Sequence, residues 1–162
     1  MMNTGIYTIP QNKEWIQPII DHFNQEFERE TYNDLQKIES ILLFITRNFG
    51  YKIDKKNSYW QEKSMYPEEV LYFKYGDCED FSFLFGYLLI ELTHLELLYL
   101  QSRIRRHVTI VVKLDTPIGI QYIYHNKKYT VIDPTDRTIG YGDVLFQNDY
   151  SILWDPNKEK HK

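Results

Sequence analysis

The stretch KYGDCEDFSFLFGY, residues 74–87, holds the chain's single cysteine. Cys78 lies between Asp77 and Glu79, with Asp80 close behind and an apolar run following at once. Cysteine catalysis needs a thiolate, a base or cation to hold it, and a third group to orient that base. Flanking carboxylates oppose a thiolate. A helix N-terminus favours one, because unpaired backbone N–H groups and the positive end of the dipole converge there. Asp77 is a good N-cap for a helix opening at Cys78. A lone cysteine is also a common small core residue, and position alone leaves both readings open.

A base must come from elsewhere. Of the five histidines, His161 is in the tail, His125 in a polar turn and His22 on the first helical segment. His94 falls within the apolar run, so a continuous helix would hold it about 24 Å from Cys78 at about 1.5 Å per residue. That excludes it. His107 opens a β-branched segment, at a rim between element and loop. The candidate orienting acid is Asp133, which ends a second such segment just before Pro134. Taken singly, His107 is a strand-edge histidine and Asp133 an ordinary Asp-Pro turn residue.

The elements that must position these groups follow from periodicity. Trp15, Ile16, Ile19, Ile20, Phe23 and Phe27 recur at helical spacing, with Pro18 marking the start. A second helix fits residues 32–49, closed by Gly50 as a C-cap. PEEVLYF, residues 67–73, reads as a short helix with Pro at its first position and acids in its first turn, broken by Gly76. A long apolar helix then runs from Cys78 to about Leu100. HVTIVVKL (107–114), GIQYIY (119–124) and KYTVID (128–133) read as a three-stranded antiparallel meander, with a further short strand or turn-rich segment after Pro134. Helices first and strands afterwards make the fold class α+β. In a plain meander the first and third strands run the same way, which sets His107 and Asp133 at opposite ends. Periodicity does not resolve that conflict.

The 162 residues fit one domain, residues 1–154, with 155–162 as a mobile tail. A hydrophobic share of 43% and a charged share of 26% describe an ordinary globular chain. Net charge is −4, and Arg103, Arg105 and Arg106 make too short a basic knot for a nucleic-acid footprint. A single cysteine rules out an internal disulfide and a multi-thiolate metal site, and fits a reducing compartment. The first residues show no basic segment leading to an apolar one, and the run 81–100 is interrupted by Glu91, His94 and Glu96. The expectation is a cytoplasmic protein with no membrane partner. Fourteen tyrosines raise the aromatic share to 16%, and Tyr59, Trp60, Tyr66, Tyr72 and Tyr75 near the cysteine read equally as groove or core.

PEEVLYFKYGDCEDFS resembles the nucleophile segment of the transglutaminase-like superfamily, nearest to its bacterial cysteine peptidases. Pro67, Glu69, Leu71, Gly76, Asp77, Cys78, Glu79 and Asp80 fit that pattern without a gap. HVTIVVK is similar to the superfamily's histidine strand, YTVIDPT to its aspartate strand, and the helix ending in RNFGYKID to the one preceding the site. The likeness spans roughly residues 32–136. It implies a transglutaminase-like (papain-like) fold, with a central cysteine-bearing helix packed on a small antiparallel sheet. By it Cys78 is the nucleophile, His107 the base and Asp133 its orienter, in neighbouring strands that meet over the helix N-terminus.

The implied chemistry is acyl transfer through a thioester on a protein or peptide substrate, with the Cys78 N–H and an upstream donor, Trp60 or Gln61, as oxyanion hole. Some members bind calcium through acids flanking the cysteine, which would be Asp77, Glu79 and Asp80; the alternative is that these acids cap the helix, with no cofactor. The rival functions are crosslinking, deamidation or de-glycosylation on the same triad, and a non-catalytic binding module. A protein partner that chooses the substrate fits a chain of this size.

Overall fold

The computed structural model describes residues 7–53, 64–140 and 146–161. After a 3-10 turn at Lys13–Trp15, α1 (Gln17–Glu30) buries Ile20, Phe23 and Phe27 along one face and ends on a left-handed Thr31. α2 (Asp34–Asn48) opens with a capping box, in which Asn33 Oδ1 accepts the Gln36 N–H and Gln36 Oε1 accepts the Asn33 N–H, both at 2.9 Å. Its buried stripe is Ile38, Ile41, Leu42 and Ile45.

Gly50 does not cap α2 as its type suggested. Phe49 is already extended, and Gly50–Tyr51 forms β1, which pairs in parallel with β2 (Tyr75–Gly76). The Gly50 N–H donates to the Lys74 carbonyl and the Lys52 N–H to that of Gly76, both at 2.9 Å. This tertiary pairing takes the place of a local C-cap. Between the two strands, α3 (Pro67–Phe73) occupies the expected span, and the Glu69 carboxylate accepts the Tyr66 N–H at 2.8 Å. Lys74, in a left-handed conformation, and not Gly76, terminates it.

α4 (Cys78–Leu92) is the centre of the molecule, with Phe81, Phe83, Leu84, Phe85, Leu88 and Leu89 all buried. α1, α2 and α3 cover it on one side and a six-stranded sheet on the other. The expected continuation to Leu100 is not found. At Thr93 the Oγ1 hydroxyl donates to the Leu89 carbonyl at 2.7 Å and accepts the Leu95 N–H at 3.2 Å, and the backbone turns extended. Leu97–Ser102 is instead β3. Leu97 and Tyr99 join the core around α4, whereas Leu98 and Leu100 enter a second cluster on the far face, with Val111, Tyr129 and Val131. A strand covered on both faces loses its two-residue alternation and reads as a continuation of the apolar helix. α4 lies so close to β3 that a Cβ at Gly86 would sit 2.1 Å from the Tyr99 hydroxyl oxygen.

The remaining strands are β4 (His107–Val112), β5 (Gln121–Tyr124), β6 (Lys127–Asp133), β7 (Thr138–Ile139) and β8 (Ser151–Trp154), the last preceded by the short α5 (Phe146–Asp149). Their order is β5-β6-β4-β3-β8, all antiparallel, with β7 also paired to β6. The chain is therefore not a plain meander. The connection 113–120 carries it past one strand position, and β6 returns into the gap between β5 and β4. That crossing closes where the Ile120 N–H donates to Gly140 O at 2.7 Å. Gly119, at φ +60, passes there so closely that a Cβ would lie 1.9 Å from the same oxygen. A 3-10 turn at Pro156–His161 follows β8, and the Asn157 side-chain amide donates to the Leu97 carbonyl at 3.0 Å. Among the described residues no helix is long and apolar enough to cross a membrane.

Candidate active site

The insertion of β6 beside β4 removes the strand conflict. Ile110 faces Ile132 and Val112 faces Thr130 in antiparallel register, so the start of β4 and the end of β6 share one edge of the sheet. His107 and Asp133 meet there, with His107 Nε2 and Asp133 Oδ2 2.5 Å apart. The other carboxylate oxygen of Asp133 accepts the Thr135 N–H at 3.0 Å and its hydroxyl at 2.7 Å, which fixes the carboxylate plane.

Cys78 is brought to the same edge by α4. Asp77 Oδ1 accepts the N–H groups of Glu79 and Asp80 at 2.9 and 3.2 Å, and Asp80 Oδ2 accepts the Asp77 N–H at 3.1 Å. This capping box sets Cys78 as the first helical residue, 7% exposed. The Ser82 hydroxyl, one turn on, donates to the Val108 carbonyl at 3.2 Å and ties the helix to β4. Cys78 Sγ lies 4.0 Å from the Arg106 carbonyl oxygen and close enough to the His107 ring to raise its pKa. With Nε2 engaged by Asp133, the ring nitrogen left for the sulfur is Nδ1.

Burial by itself would push the His107 imidazole down. Its hydrogen bond to Asp133 and the neighbouring Cys78, with the charge on each, outweigh burial and push it up to about 10. Burial likewise opposes ionisation of Asp133, yet its bonds to His107 and Thr135 hold the carboxyl below its ordinary value. At neutral pH the pair is thus imidazolium and carboxylate. A cation beside a thiol favours nucleophilic sulfur chemistry.

Two tyrosines complete the surroundings, and neither had a signal of its own in a chain with fourteen. Tyr51 reaches Cys78 because β1 pairs with the segment just before the cysteine. Its ring stands edge-on to Phe81, and burial, with the neighbouring Cys78, pushes its hydroxyl up to about 12. Tyr150 presents its ring edge-to-face to His107, with centroids 6.4 Å apart and planes at 89°. Burial and Asp133 push it up to about 12 as well. Of the aromatics flagged from the sequence, Tyr66 stacks on Tyr7, Tyr72 on Trp15 and Tyr75 on Phe73. Tyr59, Trp60 and Gln61 lie outside the described residues. The other histidines stand apart from the cysteine: His22 faces Glu26, His125 is in the β5–β6 turn, and His94 lies exposed beyond α4.

The acids flanking Cys78 hold structure. Besides the cap, Asp80 Oδ1 accepts the Met65 N–H at 2.7 Å and Glu79 accepts the Ser64 hydroxyl at 2.6 Å, strapping residues 64 and 65 to the helix start. Burial and the neighbouring Asp77 and Glu79 charges push Asp80 up to about 7. Among the described residues no group of three or more His, Cys, Asp and Glu side chains is arranged to hold a metal ion. Cys78 and His107 open onto a cleft of about 580 Å³, bounded on one side by Tyr51, Asp77 and Glu79 and on the other by Ser102 and the turn 103–106.

A model of the transglutaminase-like domain matches residues 19–139. No curated protein matches the chain. Among solved structures, a candidate cysteine protease from Cytophaga hutchinsonii is similar at TM-score 0.50 and 14% identity, over 96% of this chain and 52% of that one. Calcium-bound LapG of Legionella pneumophila gives TM-score 0.47 and 19% identity over 72% of this chain, and a second LapG structure gives 0.47 and 14% over 83%. This chain covers 61% of the first LapG structure and 81% of the second.

Proposed function

The chain belongs to the transglutaminase-like domain family, and on that premise we propose that it is a cysteine-dependent amide hydrolase, a peptidase acting on proteins or peptides through a thioester. The observation that supports this is the line Asp133–His107–Cys78 at the N-terminus of α4, open to a cleft. Cys78 Sγ attacks the amide carbonyl carbon, and the C=O π pair moves onto oxygen. The Cys78 backbone N–H, unpaired within the helix, and the Tyr51 hydroxyl are donors for that oxyanion. As the intermediate collapses the C–N bond breaks, and His107 delivers its proton to the leaving amine. Water then attacks the thioester, His107 takes up its proton, and the acid product leaves with Cys78 restored. Asp133 holds the imidazole so that Nδ1 faces the sulfur throughout.

The test is a fluorogenic peptide library assayed with wild type and Cys78→Ala, with and without a primary amine. Amide cleavage that needs Cys78 and no added amine is expected. Turnover that persists in Cys78→Ala overturns the proposal. Product that appears only with amine makes the protein a transamidase on the same residues.

A further inference from the structure

The turn joining β3 to β4 is Arg103-Ile104-Arg105-Arg106, and it runs directly into His107. The Arg106 carbonyl is within 4.0 Å of Cys78 Sγ, so this turn forms one wall of the cleft at the nucleophile. Its three guanidiniums differ in what they do. Arg105 anchors the turn: its Nε and Nη2 donate to Asp149 Oδ2 at 2.9 and 2.8 Å, and its N–H to Ser102 Oγ at 3.1 Å. Arg103 and Arg106 are exposed, line the cleft, and pair with no carboxylate among the described residues. Arg106 also holds φ +52, a left-handed backbone that costs about 1 kcal/mol or more and that Gly or Asn adopts more cheaply.

The opposite wall differs. Asp77 and Glu79 are there, but Asp77 accepts two backbone N–H groups and Glu79 the Ser64 hydroxyl. On a protein of net charge −4, the cleft is thus lined by two arginines that pair with no carboxylate among the described residues. We propose that Arg103 and Arg106 select a substrate with a carboxylate next to the scissile amide, an acidic peptide segment whose anionic side chain lies against the 103–106 turn. A planar guanidinium suits a carboxylate through two parallel hydrogen bonds. The proposal rests on the hydrolase reading above.

Two electrophiles of nearly equal size and opposite demand test it without a known substrate. Iodoacetate carries a carboxylate and iodoacetamide does not, and each leaves a mass adduct on Cys78. Relative to N-acetylcysteinamide under the same conditions, the iodoacetate-to-iodoacetamide rate ratio at Cys78 should be at least about tenfold higher, as for charge focusing in a cleft. Arg103→Gln with Arg106→Gln should remove most of that preference, and the corresponding double lysine variant should retain most of it. His107 is present in every variant, so its own attraction for the anion cancels between wild type and the arginine variants, and that comparison carries the assignment. Raising NaCl from 20 to 500 mM should lower the ratio more in wild type than in the glutamine variant or, where that fails to fold, than in Arg103→Gln alone. A ratio no higher than the reference, or one unchanged in the folded glutamine variants, overturns the proposal. The hydrolase reading fails separately, if iodoacetamide reacts with Cys78 no faster than with the reference thiol, or equally fast in His107→Ala.

Discussion

Replacing Asp133 by Asn leaves a side chain of the same shape and takes away the charge that holds His107. In the folded protein the imidazole is raised from 6.5 to about 10, chiefly against the pull of burial and through Asp133 and Cys78. A folded value above the unfolded one means stability that is fully present below about pH 6.5 and lost as pH rises through about 10. The rise caps the linked free energy at about 5 kcal/mol, since each unit is worth about 1.4 kcal/mol. Asp133 and Cys78 share it, and the new amide keeps a neutral hydrogen bond, so Asp133→Asn should cost about 2–3 kcal/mol at pH 6. Without the carboxylate, burial is opposed by Cys78 alone and the imidazole value should fall. Urea unfolding of both proteins at half-unit steps from pH 6 to 10 reads this as a difference, in which other titrations largely cancel. The gap should shrink to under about 1 kcal/mol at pH 10. A gap independent of pH, or no gap at pH 6, would refute the account of His107 as an imidazolium held by Asp133.

Tyr51→Phe removes the hydroxyl at Cys78 while keeping the ring against Phe81. It should lower kcat about ten- to a hundredfold with KM and thermal stability little changed, as expected for an oxyanion donor; an unchanged kcat removes Tyr51 from the mechanism. Tyr99 is fully buried and its hydroxyl has no hydrogen-bond partner among the described residues. Tyr99→Phe should therefore raise unfolding stability by about 1 kcal/mol, and a loss measured by urea titration would mean that the hydroxyl is satisfied after all.

The site was legible wherever a residue's role depends on its own element. Asp77 as N-cap and Cys78 at the first turn follow from the sequence GDCED before an apolar run, and PEEVLYF carries its own helix start. The pairing of His107 with Asp133 did not follow, because strand order is a long-range property. Nothing local in residues 113–120 tells the chain to pass one strand position before turning back. β3 was hidden for a related reason: with both faces covered, Leu97–Leu100 has no alternation, and Thr93 ends α4 with neither Gly nor Pro to mark it. Tyr51 was invisible because the two-residue pairing that delivers it to Cys78 joins segments 25 residues apart.

The most direct test of the central claim is the rate of Cys78 alkylation by iodoacetamide at pH 6, in wild type and in His107→Ala. A nucleophile held by an imidazolium reacts at a pH where an ordinary thiol, with a reference value of about 8.5, is almost wholly protonated. Wild type should therefore react at least about tenfold faster than His107→Ala at pH 6, with the two rates converging as pH approaches 10. Equal rates at pH 6, in two folded proteins, would contradict a catalytic Cys78–His107 pair and leave Cys78 a core thiol.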